Sequence, residues 1–122
     1  MKVLVVEDEI ILQELYKVIL AKSGHEVCDA CETEQDAIRL ASSHNYDLII
    51  LDIYLLNDGN GINAAELIRE FSSVPILFIS ANQDVSLKER ASKVKNSEYL
   101  TKPVSPLILR AVIKKYSDRL NN

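Results

Sequence analysis

Residues able to do phosphate or metal chemistry recur in this chain at one kind of place, the end of a strand-like apolar run. Glu7 and Asp8 follow Lys2–Val6, Asp52 follows Leu48–Leu51, Ser80 follows Val74–Ile79, and Lys102 lies just beyond Glu98–Leu100. Three carboxylates gathered in a partly desolvated site repel one another, so either their pKa values rise or a hard cation neutralises them. Oxygen-only ligands suit Mg2+, with Mn2+ as a substitute. A lysine opposite supplies a compact positive charge for an anionic group. A serine hydroxyl can hydrogen-bond a bound oxyanion. Carboxylate nucleophile, divalent ion and lysine together describe phosphoryl transfer onto an aspartate. Any one of these residues alone reads more readily as a solvated charge after a strand or at a helix N-terminus. All five together at successive strand ends are not explained that way.

The elements that must hold them alternate. Lys2–Val6 reads as a first strand, and Ile11, Leu12, Leu15, Val18 and Ile19 recur at helical spacing before Gly24, which predicts a first helix buried along that stripe. His25–Ala30 reads as a second strand. Thr33 then caps a helix whose buried positions are Ala37, Leu40 and Ala41. Leu48–Leu51 is an unbroken apolar run, the pattern of a strand buried on both faces. A third helix spans Asn63–Phe71, with Ala64, Leu67, Ile68 and Phe71 on its inner face, and Val74–Ile79 is the fourth strand. Val85–Val94 has a weak apolar stripe and predicts the least firmly packed helix. Glu98–Leu100 is a short fifth strand. Ser105-Pro106 opens a last helix through Leu107, Ala111, Val112 and Tyr116. The expected architecture is α/β: a doubly wound, flavodoxin-like, five-stranded parallel sheet in the order 2-1-3-4-5 with five helices. That order puts Asp8 beside Asp52 at the switch point, with Ser80 and Lys102 closing the pocket from the other side.

Composition narrows the classes. The 122 residues form one domain, 1–122, with 48% hydrophobic and 26% charged residues, which suits an ordinary packed core. A net charge of −4 makes a nucleic-acid backbone a poor direct partner. The apolar runs are too short to span a bilayer and the N-terminus lacks a signal-peptide pattern, so a cytoplasmic location is expected. Cys28 and Cys31 form a C-x-x-C close to His25, but an extended backbone there separates them and turns them to opposite faces. They read as small packing residues rather than a redox pair or metal site.

With these segments in place the chain resembles, over essentially its whole length, the receiver domain of two-component response regulators of the stand-alone, chemotaxis-regulator-like kind. The residues that carry the resemblance are Val-Val-Glu7-Asp8-Glu9, Leu-Asp52-Ile-x-Leu, Gly61-Ile, Val74-Pro75-Ile-Leu-Phe-Ile-Ser80-Ala81 and Tyr99-Leu-x-Lys102-Pro103. The resemblance implies a phospho-accepting Asp52, and Mg2+ held by Glu7, Asp8, Asp52 and the Tyr54 backbone carbonyl. It also implies a phosphoryl-contacting Lys102 followed by a cis peptide bond to Pro103, and a switch made of Ser80 and Tyr99. It implies a histidine kinase or histidine phosphotransfer protein as donor. The outcome would be a changed surface on the fourth helix, fifth strand and fifth helix that binds a downstream protein or a second copy of the chain. Such a protein catalyses only its own phosphorylation and dephosphorylation and is not an enzyme acting on others. No output domain is expected after the last helix.

The chain departs from the family pattern at Glu7, where aspartate is more frequent, at Leu56 for a proline, and at Glu98 for a glycine. Gly61 comes one residue late, which predicts a longer loop after Asp52. Tyr54 and Asn82, each two residues past a site residue, border the path of attacking water. A bulky Tyr54 is expected to shield the phosphorylated aspartate. Two rival readings are a pseudo-receiver that only binds protein and an aspartate-nucleophile phosphatase. The intact set of Asp8, Asp52, Ser80 and Lys102 speaks against the first, and the absence of a D-x-D pattern on the first strand speaks against the second.

Overall fold

β1 (Lys2–Val6) is buried along Val3–Val6 and sits between two parallel neighbours, β2 (Glu26–Cys31) on one side and β3 (Leu48–Leu51) on the other. A computed structural model describes residues 1–122. β3 pairs with β6 (Ile76–Ser80), and β6 pairs with β7 (Ser97–Thr101), again in parallel. The sheet order is therefore β2-β1-β3-β6-β7, the expected 2-1-3-4-5 once the crossover strands alone are counted. β3 and β6 are buried at every residue, which is why their sequences are continuous apolar runs rather than alternating ones.

Five helices cover the sheet: α1 (Ile10–Lys22), α2 (Glu34–Ser43), α3 (Gly61–Arg69), α4 (Val85–Ser92) and α5 (Pro106–Leu120). Alternate residues of one strand feed opposite cores. Leu4 and Val6 pack with Ala37, Ile62, Ile68 and Ala91, whereas Val3 and Val5 pack with Tyr16, Leu20, Leu109 and Ile113. The sheet is thus wound on both faces. Side chains cap four of the helices, through Thr33, Asn60, Asp84 and Ser105. α1 ends in a Schellman arrangement, with Gly24 at φ +82° and the His25 N–H donating to the Leu20 carbonyl at 2.9 Å.

The structure corrects several expectations about which faces are inside. On α1 the buried residues are Gln13, Tyr16, Ile19 and Leu20, while Ile11, Leu15 and Val18 are exposed. Apolar residues lie on two faces of this helix, so periodicity identified a helix but not its phase. On α3, Leu67 is exposed and Ile62 and Ala65 are buried instead, and Phe71, expected as the last inner residue, lies past the helix end and is exposed. On α5, Leu109 and Ile113 take the inner positions assigned to Leu107 and Ala111. α4 buries only Ala91, in keeping with its weak stripe.

The longer loop after Asp52 is a small antiparallel ribbon, β4 (Tyr54–Leu55) with β5 (Gly59–Asn60). Asn57 and Asp58 sit at φ +60° and +55°, and the Gly59 N–H closes the turn on the Leu56 carbonyl at 3.1 Å. The longer loop is thereby ordered as a hairpin whose connection is Leu56, Asn57 and Asp58. Cys28 is the extra residue where β2 bulges against β1; it is exposed, Cys31 is buried, and both thiols are free. No helix is long and apolar enough to cross a membrane.

Candidate functional site

All the chemistry-bearing residues lie at the carboxyl edge of the sheet, each delivered by the end of a strand. Past the end of β1, the Glu7 N–H donates to the Cys31 carbonyl at 2.9 Å, and past the end of β3, the Asp52 N–H donates to the Val6 carbonyl at 3.0 Å. Ladder pairing continued beyond the strands thus seats two carboxylates side by side. Carboxylate oxygens of Glu7, Asp8 and Asp52 lie within 4.8 Å of one another. On the other side, β7 runs alongside β6, and the Lys102 N–H donates to the Ser80 carbonyl at 3.0 Å. The Lys102–Pro103 peptide bond is cis.

The lysine reaches across the sheet edge. Lys102 Nζ lies 2.7 Å from Glu7 Oε1 and 2.7 Å from Asp52 Oδ2, with Glu9 Oε1 at 3.9 Å. Its side chain, like those of Glu7 and Asp52, is largely removed from solvent. Burial pushes the Glu7 carboxyl up to about 7, the Lys102 hydrogen bond opposes that rise, and the Asp52 charge adds to it. Burial works against the Lys102 ammonium, but hydrogen bonds to Asp52 and Glu7 outweigh it and hold the lysine above its ordinary value. The site is therefore short of positive charge: one ammonium faces two buried carboxylates and a third, Asp8, at the margin. Hard oxygen donors in this number and spacing fit Mg2+ and leave room for water to complete its shell.

Around this cluster runs a second set of contacts centred on Asn82, which is 2% exposed. Its N–H donates to Ser80 Oγ at 3.3 Å, its Oδ1 accepts from the Tyr54 hydroxyl at 2.7 Å and from the Asp84 N–H at 3.1 Å, and its carbonyl accepts from the Tyr99 hydroxyl at 3.2 Å. Ser80, Tyr54 and Tyr99 are thus joined through one residue that also touches the cap of α4. The Tyr54 N–H donates to Asp52 Oδ1 at 3.3 Å, so Tyr54 is tied to the site at both ends. Every site residue read from the sequence lies in this assembly, either in the charged cluster or on Asn82.

Two further contributors had no role legible in the sequence, although Gly61 itself belongs to the pattern that carries the resemblance. Gln13, on α1, donates its side-chain amide to the Glu7 carbonyl at 2.5 Å, and a lone glutamine amid apolar residues gave no signal of that. Gly61 packs so closely behind the site that a Cβ there would stand 1.9 Å from the Asp52 carbonyl oxygen. A cleft of about 700 Å3 between Glu66, Arg69, Phe71, Lys93 and Asn96 contains none of these residues. Chemistry here follows convergent charge rather than cavity size.

Comparison with known proteins agrees with the geometry. A family model described as response regulator receiver domain matches residues 3–114. The chain is 35% identical over 118 residues to the transcriptional regulatory protein YvrH of Bacillus subtilis, covering 96% of this chain and 49% of that protein. It is 38% identical over 101 residues to the KDP operon transcriptional regulatory protein KdpE of Escherichia coli, covering 83% and 44%. The chain thus spans about half the length of the curated relatives it matches. A two-component response regulator from Clostridium difficile superposes with a TM-score of 0.87, with 27% identity over 100% of this chain and 99% of that one.

Proposed function

We propose, from the premise that the chain belongs to the response regulator receiver domain family, that Asp52 is its phospho-acceptor and that Glu7, Asp8, Ser80 and Lys102 serve the transfer. The observation that carries this reading is the meeting of Asp52 with Lys102 at 2.7 Å inside a cluster of three carboxylates. A carboxylate oxygen of Asp52 attacks phosphorus, the bond from phosphorus to the donor's histidine nitrogen breaks, and the mixed anhydride carries the phosphoryl group. The same attack on acetyl phosphate releases acetate. Lys102 follows the incoming negative charge, exchanging its contact with Asp52 for one with a phosphoryl oxygen. Glu7, Asp8, Asp52 and the Tyr54 backbone carbonyl would hold Mg2+, which when bound neutralises charge on the phosphoryl oxygens.

Phosphorylation then acts on Ser80. A hydroxyl drawn toward the phosphoryl group gives up its bond from the Asn82 N–H, and Asn82 is where Tyr99 and the α4 cap are attached. The surface of α4, β7 and α5 is reshaped by that loss, and a downstream protein or a second copy of the chain binds the new surface. The domain works in the cytoplasm, takes its phosphoryl group from a histidine kinase or phosphotransfer protein, and catalyses only its own phosphorylation and dephosphorylation. Its net charge of −4 favours protein contacts over direct contact with nucleic acid. Beryllofluoride, a phosphoryl mimic, tests the site directly. Fluorine NMR should give bound resonances that need both Mg2+ and Asp52, and their absence in the wild-type protein would oppose the assignment.

A further inference from the structure

α1 is the helix that leaves the metal-binding turn, and it alone among the five has no side-chain cap: Glu9 at its N-cap bonds no helix N–H. The turn Glu7-Asp8-Glu9 is therefore anchored by contacts other than a side-chain helix cap. Glu9 N–H reaches Glu7 Oε2 at a long 3.3 Å, the Glu7 N–H pairs to β2, the Gln13 N–H donates to the Glu9 carbonyl at 3.1 Å and Lys102 Nζ holds the Glu7 carboxylate at 2.7 Å, while the Glu7 carbonyl accepts from the Gln13 side-chain amide at 2.5 Å.

Gln13 occupies a core position. It is 6% exposed and lies on the buried face with Tyr16 and Leu20, while apolar Ile11 and Leu15 face outward. Of the five buried polar or charged residues in the chain, the other four are Glu7, Asp52, Ser80 and Asn82, all within the site. A buried amide is retained where its hydrogen bond matters more than the apolar contact it displaces. Its acceptor is the carbonyl of the peptide that joins Glu7 to Asp8, so the bond fixes the plane from which both carboxylates are aimed.

The geometry points to Gln13 as a positioning residue for the metal site. Through the Glu7–Asp8 peptide it holds two of the three carboxylates at the spacing that accepts a divalent cation. This rests on the phospho-acceptor reading above, because that reading makes the carboxylates metal ligands. The contact is comparable to the outer-layer hydrogen bonds that orient ligands in other metal sites.

The test is Mg2+ affinity, by calorimetry, of wild type, Gln13→Met, Gln13→Leu and Leu20→Ala, each with its unfolding temperature. Both Gln13 variants keep side-chain bulk and lose the amide, and Mg2+ affinity should fall about tenfold. Saturating Mg2+ should restore the phosphorylation rate. Leu20→Ala, a packing lesion on the same helix face, should lower the unfolding temperature and leave affinity unchanged. Gln13 variants that bind Mg2+ as wild type does would overturn the proposal. If neither variant folds, a Mg2+ titration of wild type by NMR decides: the Gln13 side-chain amide signals should move with the binding curve, and immobile signals would overturn the proposal. A wild type that binds no Mg2+ would instead overturn the metal-site reading itself, so the two failures are distinct.

Discussion

The Tyr54 hydroxyl donates to Asn82 Oδ1 at 2.7 Å, linking the ribbon after β3 to the loop after β6 across the rim of the site. The ribbon's hairpin hydrogen bonds fix the tyrosine at its base, and Asn82 fixes it at its tip. A side chain held at both ends can restrict the approach of water to Asp52.

Phosphoryl lifetime should register this link. Tyr54→Ala removes both bulk and bond, and the phosphorylated protein should lose its phosphoryl group several-fold faster than wild type. Tyr54→Phe keeps the ring and loses the bond, so its rate should fall between the two. Dephosphorylation followed by loss of mass gives both rates. An unchanged or slower rate for Tyr54→Ala would remove the shielding role.

Gly61 is required by contact as well as by chain path. Its N–H donates to the Ile53 carbonyl at 2.7 Å, and a Cβ would collide with the Asp52 carbonyl oxygen at 1.9 Å. Gly61→Ala should therefore cost at least about 2 kcal/mol. For a domain of this size that is a fall of roughly 10 °C in Tm. Calorimetry checks it, and a Tm within a degree or two of wild type would show that the backbone there yields easily.

Glu7 sets a pH dependence for the metal-free protein. Its carboxyl, ordinarily near 4.5, is raised to about 7, mainly by burial. Between those values the folded state holds a proton that the unfolded state has released, so this group's contribution to stability falls as pH rises from about 4.5 to about 7. Metal binding requires the deprotonated carboxylate, so Mg2+ affinity should increase over the upper part of that range. Denaturant titrations without Mg2+ on wild type and Glu7→Gln measure the first effect. The variant should show a flatter dependence between the two values, and parallel curves would mean that Glu7 does not carry the effect.

Much of this site was legible because a parallel sheet brings strand ends to one edge, so Glu7, Asp8, Asp52, Ser80 and Lys102 could be gathered from strand order alone. The strands themselves were plain because Leu48–Leu51 and Ile76–Ile79 are buried on both faces and must be apolar throughout. Helix phase was harder. Ile11, Leu15 and Val18 share a face, yet α1 turns Tyr16, Ile19 and Leu20 toward the sheet, and polar Gln13 joins them with its acceptor at Glu7. The Tyr54–Asn82 bond was hidden for a different reason: it joins two loops, and loop-to-loop contacts follow no sequence period.

The central claim is that Asp52 takes up a phosphoryl group in a metal-dependent reaction, and intact mass measures it most directly. Wild type and Asp52→Asn should be incubated with acetyl phosphate and Mg2+, with and without EDTA. The predicted result is one phosphoryl adduct on wild type, none with EDTA, and none on the variant. An adduct of equal yield on Asp52→Asn, or a wild type that gains no adduct and binds no beryllofluoride, would contradict it.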